Sequence, residues 1–347
     1  MTTHPDDHAG PRPGDRAFLA RSDFGMGFES AYAGALSFLR RRYTRDLAGV
    51  DVVVAGVPLD LASSNRPGAR FGPAAIRAAS AQLAWGIPWP WSFDPCDRLA
   101  IVDWGDFAWD HGRPEEIPAA IETQARLCLA SGALLLALGG DHFVSYPLLK
   151  AHRERHDRPL ALVHLDAHSD TWRDERAPGK PRRIDHGSMF LHAAEDGLVD
   201  PARSIHVGIR THNDEHHGFG VCDASFVHER GAAATAAAIR EAVGDAPVYL
   251  TFDVDCLDPS VAPGTGTPVV GGLTSAQARA ILRGLEGLRF VGMDVVEVSP
   301  AYDVSQITAL AAATFALDML CLVAADPARR GAVPEHHQED GWGRPAL

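Results

Sequence analysis

Cysteine is scarce in this sequence. Its five cysteines (Cys96, Cys128, Cys222, Cys256 and Cys321) are scattered, odd in number and without CxxC spacing. That pattern argues against a disulfide framework and a thiolate zinc site, and it suits a reducing cytoplasm. An excess of basic charge is also missing: 32 Lys and Arg stand against 45 Asp and Glu, a formal net charge of −13. A phosphate backbone wants clustered cations, so nucleic acid is not an expected partner. An acidic surface is better suited to drawing in a small cation. The opening residues, MTTHPDDHAGPRPGDR, hold no apolar core of a signal peptide. No run reads as long enough to cross a membrane, so no membrane partner is expected. Nor is there a Ser/Gly linker, a charge block or an internal repeat. One continuous domain over residues 21–326 is the simplest organisation, with loose Pro-, Gly- and charge-rich tails at 1–20 and 327–347. At 347 residues, 46% of them hydrophobic, that domain can bury a sizeable core.

What the chain does have is a series of short apolar runs: VDVVVAGVP (50–58), LAIVDWGD (99–106), ALLLALGGDH (133–142), PLALVHLDAHSD (159–170), SIHVGIR (204–210), PVYLTFDVD (247–255) and RFVGMDVVEVSP (289–300). They are rich in Val, Ile and Leu and mostly unalternating, as strands buried on both faces of a parallel sheet are. Helical patterns lie between several of them. GPAAIRAASAQLA carries Pro73 in its first turn, TSAQARAILRGLEGL starts at Thr274, a good N-cap, and SQITALAAATFALDMLCLVAA suits a terminal helix covering the sheet. Strands alternating with helices predict an α/β fold with a mainly parallel sheet. Polar clusters follow the apolar runs on their C-terminal side, and the carboxyl ends of strands are where such sheets bind ligands.

Those clusters carry the chemistry. In FDVDCLDPS, Asp253 and Asp255 are two apart, so an extended strand end points both to one side. Two such carboxylates repel unless a cation lies between them. An isolated DxD is more often a pair of solvated aspartates, but the preceding YLTF reads as buried. The same spacing sets His168 between Asp166 and Asp170 in HLDAHSD. A lone histidine there is usually a core residue, whereas one flanked on its own face by two aspartates is usually a ligand. His164 lies further into the strand and takes a structural or supporting role. In GGDH, Gly139 and Gly140 permit a tight turn that brings His142 to the rim. Together His142, Asp166, His168, Asp170, Asp253 and Asp255 are oxygen and imidazole donors without a thiolate. They favour Mn²⁺, with Ni²⁺, Co²⁺, Zn²⁺ or Fe²⁺ as substitutes. Six donors suit two metals about 3.5–4 Å apart, a pair that lowers the pKa of water between them.

GGDH, DAHSD and FDVDCLDPS, in this order, resemble the ureohydrolase (arginase/agmatinase) superfamily. The resemblance extends through GVPLDLASSNRPGARFGPAAIR, SFDPCDRLAIVDWGD, PGTGTPVVGGLT and GMDVVEVSPAYDVSQITALAAAT, covers most of residues 20–325, and looks nearest to the bacterial agmatinases. It implies a three-layer α/β/α fold around an eight-stranded parallel sheet. It implies two Mn²⁺, one held by His142 and Asp170, the other by His168 and Asp255, with Asp166 and Asp253 bridging. His186, in DHGSMF, matches the catalytic histidine, and Glu297, in VVEVSP, the guanidinium-binding carboxylate. Without the resemblance, a loop histidine and a salt-bridged glutamate would be the plainer accounts. The implied reaction is hydrolysis of a small cationic guanidino compound to urea and an amine by water activated between the metals, agmatine to putrescine first. Asp170 would relay a proton to the departing amine, and a homo-oligomer, trimer or hexamer, is implied.

Some residues take plainer readings. Cys256 has no adjacent base and is expected to be a small apolar filler. His212, Asn213, Asp214, Glu215, His216 and His217 read as a solvated loop near the rim. Trp85, Trp89 and Trp91 read as core or subunit-contact aromatics. The connection from Asp170 to His186 is long and basic, with Arg173, Arg176, Lys180, Arg182 and Arg183 against Asp174 and Glu175. A basic loop facing the substrate's tail would favour a carboxylate, as in 4-guanidinobutyrate or 3-guanidinopropionate, over agmatine's ammonium. Guanidino-acid hydrolysis is therefore the alternative, ahead of arginase activity, an amide-cleaving deacetylase or a catalytically silent subunit.

Overall fold

Neighbouring residues of one strand serve different cores. In β2 (Val52–Val57), Val52 and Val54 pack into one hydrophobic layer, while Val53, Ala55 and Val57 pack into another. That division is why the run is apolar throughout rather than alternating. Residues 30–84, 86–173 and 184–326 are described by a computed structural model; the expected tails and Trp85 lie outside them. The other strands are β1 (Arg42–Tyr43), β3 (Ile101–Asp106), β4 (Leu134–Gly139), β5 (Ala161–Leu165), β6 (Ile205–Ile209), β7 (Gly220–Asp223), β8 (Val248–Asp253) and β9 (Phe290–Val296). They form one sheet in the order β1-β3-β2-β4-β9-β8-β5-β6-β7, and every pairing is parallel. The seven apolar runs are β2 to β6, β8 and β9. The sheet has nine strands rather than eight, because the two-residue β1 and the half-buried β7 lie at its edges and carry no apolar run.

Helices cover both faces. Helices α1 (Gly72–Ser80), α6 (Ala224–Val243), α7 (Ser275–Arg283) and α8 (Ile307–Ala325) pack into the first core, with the short α2 (Pro95–Arg98) beside α8. Helices α3 (Ile117–Ala130), α4 (Ser145–Arg153) and α5 (Met189–Glu195) fill the second. This is the expected three-layer α/β/α arrangement.

One expectation fails. Helix α8, 19 residues with a mean hydropathy of 2.1, is long and apolar enough to cross a membrane by length and composition. A helix apolar all round is either a membrane span or fully packed in a core, and α8 is mostly buried. Its Asp318, fully buried, accepts hydrogen bonds from Arg279 Nε of α7 at 2.6 Å and from Trp91 Nε1 at 2.7 Å. A buried carboxylate paired in this way ties α8 to α7 and to the 86–98 segment. Trp91 thus sits at the edge of the core, whereas Trp89 is exposed. Cys256 is wholly buried among apolar side chains, the filler its sequence context suggests.

Thr274 caps α7 as anticipated, in a full capping box with Gln277. Thr274→Ala is expected to cost about 1 kcal/mol, read as a lower urea midpoint at unchanged m; an unmoved midpoint would mean that packing alone holds the helix.

Candidate active site

The C-terminal ends of β4, β9, β8 and β5, adjacent in the middle of the sheet, each deliver a polar cluster to one rim. The chain leaves β4 through Gly139 and Gly140. A Cβ at Gly140 would collide with the Leu59 carbonyl after β2, so only glycine lets β4 turn there and bring His142 under the rim. Asp166, His168 and Asp170 follow β5, Asp253 ends β8, Asp255 sits in the tight turn after it, and Glu297 follows β9. Asp170 (φ 52°) and Glu297 (φ 65°) both take left-handed backbone conformations that side chains with a Cβ seldom adopt. Such strain persists only where the surroundings enforce it, and it gathers at functional sites.

All six sequence-derived donors converge. His142 Nδ1 lies 3.0 Å from Asp166 Oδ2, 3.1 Å from Asp170 Oδ2 and 3.2 Å from Asp253 Oδ2. His168 Nδ1 lies 3.0 Å from Asp255 Oδ2 and 3.3 Å from Asp166 Oδ1. The two oxygens of Asp166 therefore face two different imidazoles, as a carboxylate shared between two ions would. Asp253 approaches His142 by contact, and the charge of Asp255 acts on it. Backbone donors pin the opposite oxygens: His168 N to Asp166 Oδ1 at 2.6 Å, Asp255 N to Asp253 Oδ1 at 2.7 Å and Ala167 N to Asp255 Oδ1 at 3.0 Å. The carboxylates are thereby held in place before any ligand arrives.

Two observations test whether a metal fits. Burial, then the nearby charge of Asp166, pushes the Asp170 carboxyl up to about 7. Burial and Asp255 raise Asp253 well above the usual range. Burial alone would lower His142, yet the hydrogen-bonding carboxylates around it raise it well above its ordinary value. This is a cavity that demands positive charge. The second observation is a tautomer. Thr251 Oγ1 donates to Asp294 Oδ1 at 2.5 Å, so toward His142 Nε2, 2.8 Å away, it can only accept. His142 thus carries a hydrogen on Nε2, which leaves Nδ1 as the atom turned toward three carboxylates, a place that calls for a proton or a cation. The donor set suits a binuclear metal site.

Beside the cluster, Glu297 Oε1 accepts from the His142 backbone N–H at 2.8 Å and from His186 Nδ1 at 3.2 Å, while its Oε2 is buried without a partner. His186 Nε2 lies 2.8 Å from Ser64 Oγ. Burial opposes protonation of His186, but the hydrogen bond and charge of Glu297 prevail and raise it to about 9. A cleft of about 560 Å³ opens over these groups, lined by His142, His168, Asp170, His186 and Asp253 and bordered by Trp172 and Arg173.

Three further groups carry no signal in sequence spacing. Asp294 anchors the Thr251–His142 contact and also accepts from Ser145 Oγ and Tyr249 OH, both at 2.7 Å. Arg210 donates to the carbonyls of Asp255 at 2.6 Å and Val269 at 2.7 Å, locking the turn that carries Asp255. His206 touches His164 at 2.7 Å. The available clue was polarity inside an apolar run, since ionisable side chains are seldom fully buried without a task. His212 is exposed, as expected of its loop, while Asn213 reaches in to Ser169 Oγ at 2.9 Å and Thr171 Oγ1 at 3.0 Å. Of the basic connection, Arg173 pairs with Glu215 at 2.9 Å; Asp174, Glu175, Arg176, Lys180, Arg182 and Arg183 lie outside the described residues.

Comparison with known proteins agrees with this geometry. The arginase family model matches residues 50–321. An agmatinase from Chromobacterium violaceum is 57% identical over 310 residues, 89% of this chain and 95% of that protein. A crystal structure of a hypothetical agmatinase from Burkholderia thailandensis superposes with a TM-score of 0.84 at 57% identity, covering 90% of this chain and 98% of its own. Proclavaminate amidino hydrolase from Streptomyces clavuligerus superposes with a TM-score of 0.80 at 40% identity, covering 86% and 99%. With more than half its length matched by the family model and close relatives aligned over nearly their whole length, the chain belongs to the arginase family.

Proposed function

We propose that this enzyme hydrolyses agmatine to putrescine and urea at a two-manganese centre. The observation that carries the reading is Glu297: a buried carboxylate with one oxygen anchored and the other unpartnered, beside a His/Asp cluster suited to two metals. A planar guanidinium is the natural partner of such a carboxylate. His142 and Asp170 would hold one ion, His168 and Asp255 the other, with Asp166 and Asp253 between them. When bound, the metals would supply water activated near neutral pH, which a resonance-stabilised guanidinium carbon otherwise resists.

The remaining work falls to side chains. Glu297 Oε2 takes the guanidinium and orients its carbon toward the cluster, with Oε1 held by His142 N–H so that the carboxylate plane cannot turn. As water oxygen bonds to carbon and the carbon–nitrogen bond breaks, the departing amine nitrogen needs a proton. Asp170, whose Oδ2 lies 3.1 Å from His142 Nδ1 at the cleft floor, would pass one on. His186, 12% exposed at the cleft wall, can exchange protons with solvent. Arg173 bears on the substrate's tail. Its pairing with Glu215 offsets its charge at the cleft border, which supports a cationic tail over a carboxylate one. That the described residues include every matched ligand position in convergent geometry favours catalysis over a silent structural role. Four of the five cysteines are buried, consistent with the proposed cytoplasmic setting. The exposed Phe71, Trp89 and Val304 are consistent with a catalytic unit over residues 21–326 that assembles as a homo-oligomer.

Urea release from Mn²⁺-loaded protein should be fastest with agmatine, when compared with arginine, 4-guanidinobutyrate and 3-guanidinopropionate. A higher kcat/KM for either guanidino acid would overturn the substrate, and no urea from any would overturn the reaction. Asp253→Asn is expected to lower turnover more than about 100-fold; near-parental rates would remove Asp253 from the centre. Because Asp170 and its neighbours hold protons near neutrality that a metal must displace, Mn²⁺ binding to metal-free protein should release protons and tighten from pH 6 to pH 8. Calorimetry in buffers of different ionisation enthalpy reads both, and pH-independent affinity would contradict the assignment.

A further inference from the structure

Asp166 is held from behind by two buried histidines. His164 on β5 and His206 on β6 are register partners on adjacent parallel strands, and both are fully buried, as is Asp166. His164 Nε2 lies 2.7 Å from Asp166 Oδ2, and His164 Nδ1 lies 2.7 Å from His206 Nδ1. Phe190 packs on His164 and Phe219 on His206, each with ring centroids 4.6 Å apart, and the His142 ring stands edge-on to His164 at 5.0 Å. His206 Nε2 has no partner.

These contacts admit one direction of donation. An ionised carboxylate only accepts, so His164 must carry hydrogen on Nε2. A neutral His164 then has a bare Nδ1, and the facing Nδ1 of His206 must donate to it. His206 is left with a bare Nε2 against apolar surroundings. That is the less costly choice, because a cationic ring would bury an unpaired N–H and a charge together. The arrangement also settles a question of ligation. His164 lies close enough to His142, Asp166 and Asp170 to be counted with them as a donor, but its near nitrogen is committed to Asp166 as a hydrogen donor and has no lone pair to offer.

We propose that His206 and His164 form a one-way hydrogen-bond chain, His206 to His164 to Asp166, that holds the shared carboxylate of the metal centre, and that His206 is a positioning residue for metal binding. This rests on the metal centre proposed above. Asp166 Oδ2 is the oxygen that faces His142, while Oδ1 faces His168 and accepts its backbone N–H. Fixing Oδ2 therefore sets the distance between the two halves of the site. Without a donor at His206, His164 Nδ1 loses the partner that fixes the ring, so the Nε2–H is free to swing off Asp166 Oδ2 and the bridge loosens.

The test compares His206→Phe, which keeps ring volume and removes the donor, with His206→Asn, whose side-chain amide can donate from the position of Nδ1. Mn²⁺ affinity of each metal-free protein is measured by equilibrium dialysis, and ¹⁵N NMR of the histidine rings reports the His164 tautomer. Folding of the metal-free variants is checked by circular dichroism, with His206→Leu replacing His206→Phe should the latter not fold. The expected result is Mn²⁺ binding weakened about 10- to 100-fold in His206→Phe, near-parental binding in His206→Asn, and hydrogen on Nε2 of His164 in the parent. Parental affinity in folded His206→Phe, or equal losses in both variants, overturns the chain while leaving the centre intact. A parent that binds no Mn²⁺ overturns the centre and the chain together.

Discussion

Carboxylates that share a buried rim repel one another, and the rest of the site is organised around that repulsion. Asp166, Asp170, Asp253 and Asp255 lie almost without solvent at the ends of two neighbouring strands. In so little water, their charges can be balanced only by protons, imidazoles or bound cations. The raised Asp170 and Asp253 carboxyls and the raised His142 imidazole express one shortage of positive charge. A site so constructed binds cations because its own charges leave it no better alternative.

Repulsion alone would scatter these groups, so the scaffold has to oppose it. The parallel sheet does this by ending four central strands at one rim. Backbone N–H groups of His168, Asp255 and Ala167 then clamp one oxygen of each of three carboxylates. Arg210 ties the Asp255 turn through carbonyls rather than through a carboxylate, so it steadies the site without neutralising any ligand charge. The left-handed backbones at Asp170 and Glu297 are a strain that this packing sustains, and both residues belong to the site.

Much of this was legible in the chain. Strands buried on both faces must be apolar at every position, so their runs stood out and their C-terminal clusters marked the rim. Metal-type spacing survived for the same reason: Asp166, His168 and Asp170 are local in sequence, and a strand's period fixes which way they point. Glu297 and His186 were different. Neither had a local pattern, and only resemblance to a family brought them forward; their 3.2 Å contact spans more than a hundred residues. The edge strands β1 and β7 had no apolar run to reveal them. Helix α8 was legible as a terminal helix covering the sheet, and only its length and apolar character exceeded what was expected.

The sequence by itself marked the seven apolar strands, the polar clusters at their carboxyl ends and the demand for cations there, since hydrophobic periodicity and residue chemistry are local properties. Tertiary structure alone decided which oxygen faces which imidazole, that Thr251 and Asp294 fix the His142 tautomer, that Arg173 is engaged by Glu215, and that His206 stands behind His164. Those are contacts between segments far apart in sequence, separated by ångström-scale distances that no local pattern encodes. Hydrogen bonding, through its direction as much as its distance, is what turned a set of plausible ligands into an ordered site.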